Sequence, residues 1–311
     1  MSTPAPAILV LDHVSRRLAG RQVVRDLNLN VARGEVLGLL GVNGAGKTTT
    51  LRMIAGVLAP SAGTVRLENA DLYEQPECAR RGIGYLPETP PLHQELSAEE
   101  FLGFCARLHG VARKTVAAAV ARTLERCELG EVRRRPIASL SKGFRQRVGL
   151  AQAIVHEPEL IVLDEPASGL DPLQAMKLRE LVRGLGQDHA VILSTHVLPD
   201  VSACCDRVAI LHRGELRYSG PAVPDVANTL RVGVARVASS NDWASFAMVA
   251  SAEAIDAMHW RVHLRAGASI DAFAEAVVER GLGLIELRVD SAPLESTFLA
   301  IAAADAPAHV A

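Results

Sequence analysis

The sequence predicts an α/β protein with an open, largely parallel sheet and helices on its faces. Short, almost wholly apolar segments such as EVLGLL (35–40) and ELIVLDEP (159–166) are typical of strands buried on both sides. These strands alternate along the chain with segments of helical periodicity, and such alternation is typical of parallel sheets. A helical block at about 89–150 interrupts the alternation and predicts an inserted helical subdomain.

The N-terminal elements follow from apolar runs and from the breaks between them. Residues 8–14, 23–31 and 35–40 are predicted to be strands, because glycine or charged residues separate them. The segment TTTLRMIAGVLAP follows a glycine-rich loop and is predicted to be a helix that ends near Gly56. A strand, a glycine loop and a helix are therefore expected in direct succession.

The middle of the chain continues this pattern on either side of the helical block. GIGYL (82–86) predicts a short strand that Pro87 stops. Ser97 and Glu100 have the spacing of a capping box, which predicts the start of a helical region that extends to about residue 130. The segments SLSKGFRQRVGLAQAIVHEP and LQAMKLRELVRGLG predict two more helices, and AVILSTH predicts another strand.

A change of composition near Pro221–Asp225 predicts a boundary between two domains. Residues 1–219 are expected to form the first domain, and 220–229 a linker. Residues 230–301 combine apolar strand segments with the helical segment IDAFAEAVVERG, which predicts a small C-terminal α+β module of βαβ type. The Ala-rich residues 302–311 are expected to be a frayed tail.

The composition limits the classes of function that the chain can have. The 311 residues are 49% hydrophobic and carry a net charge of −2, so we expect a sizeable core and no nucleic-acid partner. No stretch approaches the roughly 20 apolar residues that span a bilayer, and the N-terminus lacks the basic region of a signal peptide. Any action at a membrane is therefore expected to require a partner.

The segment GVNGAGKTT (41–49) matches the phosphate-binding pattern G-x-x-x-x-G-K-[ST] between a predicted strand and a predicted helix. Backbone amides at such a helix start favour phosphate oxygens, and Lys47 adds a positive charge for the β- and γ-phosphates. The Thr48 hydroxyl can coordinate Mg²⁺. The context argues against a chance glycine turn, and the predicted nucleotide contacts are Gly41, Asn43, Gly44, Ala45, Gly46, Lys47, Thr48 and Thr49.

Two acidic residues end the predicted strand ELIVLDEP. Asp164 and Glu165 lie where ligands bind in open α/β sheets, at the carboxyl end of a strand. Strand-end acids are common, but these two accompany a complete phosphate-binding loop. Asp164 is therefore expected to hold Mg²⁺, directly or through water, and Glu165 to polarise an attacking water molecule.

Together with further motifs, these segments resemble the ATP-binding subunit of an ABC transporter. LSKGFRQR (140–147) resembles the ABC signature, SGLD (168–171) resembles the D-loop, and STHVLPD carries His196 at the position of the switch histidine. The resemblance extends from residue 8 to about residue 219. It implies a P-loop NTPase core with an inserted helical subdomain, which binds ATP and Mg²⁺ and hydrolyses ATP.

The resemblance also implies a dimer in which two ATP molecules lie between head-to-tail subunits. Ser141 and the Gly143 amide of one subunit would contact the γ-phosphate held by the other. Glu165 would act as general base or orient the water, His196 would contact the γ-phosphate, and Asp171 would link the two sites. Phosphoryl transfer depends mainly on positioning and charge stabilisation, so assembly of this dimer would complete the catalytic site.

Three features depart from the common pattern of the family. Leu18 stands where an aromatic residue usually stacks on adenine, which implies weaker nucleotide binding by about 0.5–1.5 kcal/mol unless the aromatic position lies a few residues away. Glu88 stands where glutamine is usual, and its carboxylate can still act on the Mg²⁺ shell. Lys142 and Phe144 replace the usual glycine and glutamine of the signature.

The segments YLPE, EPASGLDP, STHVLPDV and SAPLESTFLAI resemble an export-type branch of the family. Its subunits serve permeases for drugs, polysaccharides, lipids, gliding-motility components and copper-site maturation. The resemblance implies a cytoplasmic ATPase that is peripheral on the inner face of the cell membrane. Its partners would be an integral membrane permease and a second copy of itself or a homologous ATPase subunit. Dimer contact, regulation and simple packing all remain open as roles for the C-terminal module.

Two alternative functions are compatible with the phosphate-binding loop. A non-transport ABC ATPase could act on ribosomes or DNA, but the chain carries one ABC copy, no heptads and a mildly acidic charge balance. A degenerate, non-hydrolysing regulator is disfavoured because Lys47, Asp164, Glu165 and His196 are all present. An ATPase subunit that powers a separate permease, expected to be an exporter, is the leading hypothesis.

Overall fold

The fold was analysed in a computed structural model, which describes residues 6–222, 229–236, 238–265, 267–289 and 292–303. The chain divides into two compact units, Met1–Ala222 and Val223–Ala311. Most of the predicted linker 220–229 lies outside the described residues, and so does the predicted tail 302–311 beyond Ala303.

The first unit combines strands, α-helices and two short 3₁₀ turns at Gly130–Val132 and Ile137–Ser139. Its strands are β1 (Ala7–Leu18), β2 (Arg21–Ala32), β3 (Val36–Leu40), β4 (Ala62–Leu67), β5 (Ala70–Asp71), β6 (Ile83–Leu86), β7 (Leu160–Leu163), β8 (Ala190–Thr195), β9 (Arg207–His212) and β10 (Glu215–Pro221). Its helices are α1 (Lys47–Ile54), α2 (Pro76–Gly82), α3 (Ala98–Leu108), α4 (Val116–Arg126), α5 (Lys142–Ile154), α6 (Pro172–Leu185) and α7 (Leu198–Cys204).

The central sheet of the first unit has the strand order β10-β9-β3-β8-β7-β6. Its pairs are parallel except at the edge, where β10 runs antiparallel to β9. All residues of β3, β7 and β8 are buried, as expected for strands covered on both faces. The predicted α/β fold is confirmed, and burial of these apolar strands fixes the sheet that carries the site.

The first two predicted strands exist but belong to a different sheet. They are longer than predicted and pair antiparallel with each other, and β4 and β5 extend this second sheet in the order β2-β1-β4-β5. The sequence pattern did not predict β4, β5 or α2. The unit therefore contains an antiparallel sheet as well as the expected parallel one.

The helical block begins with the predicted capping box. The Ser97 backbone N–H donates to Glu100 Oε2 over 2.9 Å, and the Glu100 N–H donates to Ser97 Oγ over 3.3 Å, so both helix-start donors are satisfied. The three helices α3, α4 and α5 contact one another and separate β6 from β7 along the chain. The predicted capping box and the predicted helices between the two strands are both confirmed.

The second unit is a four-stranded antiparallel sheet with helices. Its elements are β11 (Thr229–Val234), α8 (Ser240–Ala244), β12 (Val249–Ala254), β13 (His259–Leu264), α9 (Ile270–Glu279), β14 (Leu284–Val289) and α10 (Ala292–Ala303). The strand order β12-β13-β11-β14 differs from a simple βαβ unit, because β13 lies between β11 and β12. The arrangement is a split βαβ fold whose core includes Trp243, Trp260 and Phe273.

A half-buried histidine links the helical block to the parallel sheet. The ring of His156 stacks on that of His109 at the end of α3, with 3.8 Å between ring centroids, and its Nε2 lies 3.3 Å from the Ile83 carbonyl oxygen. Burial and the nearby His109 lower the pKa of His156 to about 4. His156 is therefore neutral in the folded protein at neutral pH.

We expect acid to destabilise the protein through His156. Between pH 6.5 and about 4 the unfolded chain binds a proton that folded His156 does not, so stability should fall as the pH is lowered through this range. The expected loss is on the order of 2–3 kcal/mol. Denaturant unfolding at several pH values should show a flatter profile for His156→Phe, whereas exposed His93→Phe should keep the parent slope. Equal slopes for His156→Phe and the parent would contradict this assignment.

Candidate nucleotide-binding site

The motifs meet because parallel strands end at one edge of the sheet. The glycine-rich loop follows β3, Asp164 and Glu165 follow β7, and His196 follows β8. Glu88 comes shortly after β6 at the same edge. Residues that are far apart in the sequence are thereby brought around one cleft, as is usual for ligand sites of open α/β sheets.

Two glycines of the loop have no room for a side chain. A Cβ at Gly41 would lie 2.6 Å from the Leu211 carbonyl oxygen, and one at Gly46 would lie 2.9 Å from the carbonyl oxygen of Val23. Gly46 also has φ +105°, a conformation that side chains disfavour, and it precedes the first residue of α1. The loop therefore holds its backbone amides at a helix start, an arrangement suited to an anion.

The loop lines a cleft of about 550 Å³. The predicted residues Asn43 to Thr49 line it, and Glu88, Glu165 and His196 do so as well. The cleft is also lined by Val23 and Ser168, which the sequence did not predict. The structure thus brings most of the predicted nucleotide and catalytic residues together.

The Lys47 ammonium lies inside this cleft with only 6% of the residue exposed. Its Nζ donates a hydrogen bond to the Gly41 carbonyl oxygen over 2.7 Å and lies 3.4 Å from Glu165 Oε1. A buried charge needs such partners to offset its desolvation. The arrangement keeps a positive charge at the centre of the amide cradle, where phosphate oxygens would lie.

Asp164 is buried beneath the loop and is held by two hydroxyl groups. Its Oδ1 accepts hydrogen bonds from Ser194 Oγ (2.7 Å) and Thr48 Oγ1 (3.2 Å). The Thr48 hydroxyl and the Asp164 carboxylate are oxygen donors of the kind that Mg²⁺ prefers. Within the described ranges, no cluster of three or more His, Cys, Asp or Glu side chains could hold a metal by itself. Any Mg²⁺ here would need further oxygen ligands from phosphate or water.

Glu165 directs its carboxylate into the cleft between two basic side chains. Its Oε2 lies 2.9 Å from His196 Nδ1, opposite the contact of Oε1 with Lys47. Its backbone has φ +46°, which is uncommon for a residue with a side chain and is concentrated at functional sites. The Glu165 N–H donates to Ser194 Oγ over 2.9 Å and helps to hold this conformation.

The loop that carries His196 is anchored on its protein side. Thr195 Oγ1 donates to Asp200 Oδ2 over 3.0 Å, and Arg179 Nε donates to Asp200 Oδ1 over 2.7 Å. The His196 side chain itself is half exposed. The imidazole therefore stands on a fixed loop and faces the open side of the cleft.

The signature residues Ser141 and Gly143 and the D-loop residue Asp171 do not line the cleft of their own subunit. Ser141 begins α5, and its Oγ accepts from the Phe144 N–H over 3.4 Å, while Asp171 begins α6 and accepts from the Gln174 N–H over 2.9 Å. Gly143 packs beside α6, where a Cβ would lie 2.9 Å from Gln174 Oε1. Their contact with a nucleotide held by a second subunit stays a prediction.

Leu18 is a further predicted site residue that does not line the cleft. It is the last residue of β1, is 37% exposed and does not line the cleft. Val23 on the neighbouring strand lines it instead. A contact between Leu18 and adenine stays a prediction.

Sequence reasoning missed Ser194, Ser168 and Val23. Ser194 lies two residues before His196 in ILSTH. Its hydroxyl, at the end of a buried strand that is apolar up to Ser194, was the available signal. Ser168 lies in the SGLD motif itself. Val23 gave no signal, because its place beside the loop depends on how β2 packs against Gly46.

An amide cradle at a helix start, a buried lysine, and an Asp-Glu pair facing a histidine define the chain as an ATPase of the P-loop class. The family described as "ABC transporter" matches residues 24–168. The chain belongs to this family, as an ATP-binding subunit of an ABC transporter.

Relatives of known sequence support this assignment over about two thirds of the chain. The ABC transporter ATP-binding protein NatA of Bacillus subtilis is 38% identical and is matched over 68% of this chain and 89% of its own length. The bacitracin transport ATP-binding protein BcrA of Bacillus licheniformis is 33% identical over 67% of this chain and 68% of its own.

Solved structures share the fold. An ATP-binding subunit of an ABC transporter is 34% identical, with a TM-score of 0.64 over 70% of this chain and 91% of that chain. The protein cbiO1 of Clostridium perfringens, part of the transporter complex cbiONQ, is 28% identical with a TM-score of 0.63 over 70% of this chain and 89% of that chain.

We expect Ser194→Ala to slow ATP hydrolysis with little effect on nucleotide binding. The substitution removes the hydroxyl that joins Asp164 to the Glu165 backbone and leaves a buried donor unpaired. A loss of about 1–3 kcal/mol corresponds to a roughly fivefold to 150-fold lower kcat. Steady-state ATPase assays should show KM for ATP within about threefold of the parent. Exposed Ser139→Ala is the control, and an unchanged kcat in Ser194→Ala would refute the role of this hydroxyl.

Proposed function

We propose that this chain hydrolyses Mg·ATP as one half of a head-to-tail dimer and drives an exporter from the inner face of the cell membrane. Residues 1–219 would carry the ATPase activity. The observation that supports this most directly is the Glu165 carboxylate, held in the cleft between Lys47 and His196. Export as the direction rests on the resemblance of the motifs to the export-type branch and on the bacitracin transport relative.

The geometry supports an exchange of partners when ATP binds. Phosphate oxygens would take over the Lys47 ammonium from Glu165, whose Oε1 lies 3.4 Å from it. The released carboxylate could then orient a water molecule for attack on the γ-phosphate and accept its proton. His196, which contacts the same carboxylate, would help to hold the water and the γ-phosphate in line.

We infer that Thr48 and Asp164 hold Mg²⁺, with Glu88 close to its outer shell. The Thr48 hydroxyl and the Asp164 carboxylate already lie within 3.2 Å of each other, and Glu88 lines the same cleft. When bound, Mg²⁺ would neutralise part of the phosphate charge. Ser194 would then keep the Asp164 carboxylate oriented.

Dimerisation is supported by the outward position of the signature. Ser141 and Gly143 do not line the P-loop cleft of their own subunit, and a second copy or a homologous subunit would bring them to it. Asp171, at the start of α6, would join the two sites. Each ATP would then be enclosed by the P-loop of one subunit and the signature of the other.

Coupling to the permease would use the helical block and the loop after Glu88. Phe104 is 41% exposed and Leu108 is 72% exposed, both on α3. The loop packs on the signature helix, since a Cβ at Gly149 of α5 would lie 2.7 Å from Pro90. A partner that moves this loop would therefore shift the helix that begins at Ser141.

A membrane partner is needed for any transport by this chain. Within the described residues, none of the helices has the length and apolar character to cross a bilayer. We propose an integral membrane permease as that partner, in which case the transported substrate would contact the permease.

We expect Glu165→Gln to abolish turnover while it preserves ATP binding. Loss of a general base or water-orienting carboxylate lowers kcat by about 100-fold or more. The variant should accumulate as an ATP-bound dimer, detectable by sedimentation with Mg·ATP. Glu159→Gln is the matched control, because Glu159 is exposed and lies between α5 and β7. This variant should hydrolyse ATP at the parent rate. Turnover by Glu165→Gln within about threefold of the parent would refute this role for Glu165.

We expect Leu108→Glu to weaken association with the permease and leave the ATPase activity of the isolated chain unchanged. The substitution places a charge on the exposed apolar part of α3, and Leu108 is not among the residues that line the cleft. Co-purification with the proposed permease is the measurement. Val278→Glu, at another largely exposed apolar position on α9, is the matched control. Normal co-purification of Leu108→Glu would exclude this surface.

A further inference from the structure

Lys142 joins the signature to the D-loop of its own subunit. It is the first residue of α5, and its ammonium lies directly against Gly169. A Cβ at residue 169 would collide with Lys142 Nζ, and Gly169 has φ +66°, so glycine both permits the turn and makes room for the ammonium. The Lys142 side chain thus contacts the loop that precedes α6.

The ammonium lies at a corner where two helices begin side by side. α5 begins after Ser141 and α6 begins after Asp171, and Gly143 lies close to Gln174 Oε1. The Ser141 hydroxyl and the Gly143 N–H belong to the same turn as Lys142. Ser141 and Lys142 are exposed, so a hydroxyl and an ammonium able to donate hydrogen bonds stand together on the surface of the subunit, with Gly143 buried beside them.

Among the described residues, no hydrogen-bond or ion-pair partner of the Lys142 ammonium is found. A cation in the first turn of a helix is also disfavoured by the helix dipole. The common form of the signature has glycine at this position, so the backbone turn does not require lysine. The charge and its position together indicate an anionic partner outside the subunit.

We propose that Lys142 is an additional ATP contact that acts across the dimer. Its ammonium would reach the γ-phosphate of the ATP held by the P-loop of the other subunit, beside the Ser141 hydroxyl and the Gly143 amide. A γ-phosphate offers several oxygens to converging donors, whereas one carboxylate would satisfy fewer of them. This inference rests on the head-to-tail dimer of the proposed function.

The test measures how much ATP is needed to form the dimer. In the Glu165→Gln chain, sedimentation is followed as Mg·ATP is raised, and Lys142→Met should increase the midpoint concentration at least tenfold. Lys142→Arg, which keeps the charge, should restore the midpoint to within about threefold. Binding of a fluorescent ATP analogue to the monomer should be unchanged, because the P-loop is intact. Lys177→Met, at an exposed lysine on α6, is the matched control.

The outcomes separate this inference from the dimer itself. A parent Glu165→Gln chain that stays monomeric with Mg·ATP would refute the proposed dimer. A normal midpoint for Lys142→Met in a chain that does dimerise would overturn the role of Lys142 alone. A loss of dimer that persists at saturating ATP would assign Lys142 to a protein contact across the interface, which also overturns the phosphate contact. Lys142→Gln, which keeps a polar side chain, serves as a second variant for each measurement.

Discussion

The parallel pairing of β3, β8 and β7, with β6 at the edge, is the constraint on which the site depends. Parallel strands end at one edge of a sheet, so the segments that follow them must meet there. The apolar residues of these strands are buried on both faces, and slippage of a strand would expose them. Hydrophobic burial therefore sets the positions of polar residues that have little stabilising role of their own.

Charge balance is the second organising feature of the cleft. Lys47 is buried in a cradle of backbone amides, which repel a cation, and it is held there by the Gly41 carbonyl and by Glu165. Glu165 in turn contacts His196. Each of these contacts is polar and exchangeable, unlike the packing around the sheet. The site thus consists of polar contacts that are supported by a tightly packed apolar sheet. A bound polyanion would exchange the partners of Lys47 and Glu165 and leave the packing of the sheet unchanged.

The sequence was most informative where local pattern and tertiary environment agree. The apolar runs of β3, β7 and β8 and the Ser97 capping box were predictable because burial and local hydrogen bonds determine them. The antiparallel pairing of β1 with β2 was not, since composition does not encode strand direction. The strand β12, VASAEA, is rich in alanine, which has low strand propensity, and it forms through pairing with β13. Ser194 and Val23 join the site through contacts with residues more than 20 positions away, which no local motif records.

The separation of the signature from the P-loop within one chain has a genetic consequence. In the proposed dimer, one site combines the P-loop of the first copy with the signature of the second, and the other site combines the remaining two halves. If one allele inactivates Lys47 and the other inactivates Ser141, a mixed dimer has both defects in one site and an intact second site. Two individually defective alleles could then complement each other in one cell, and the pattern of complementation between alleles would map which residues share a site.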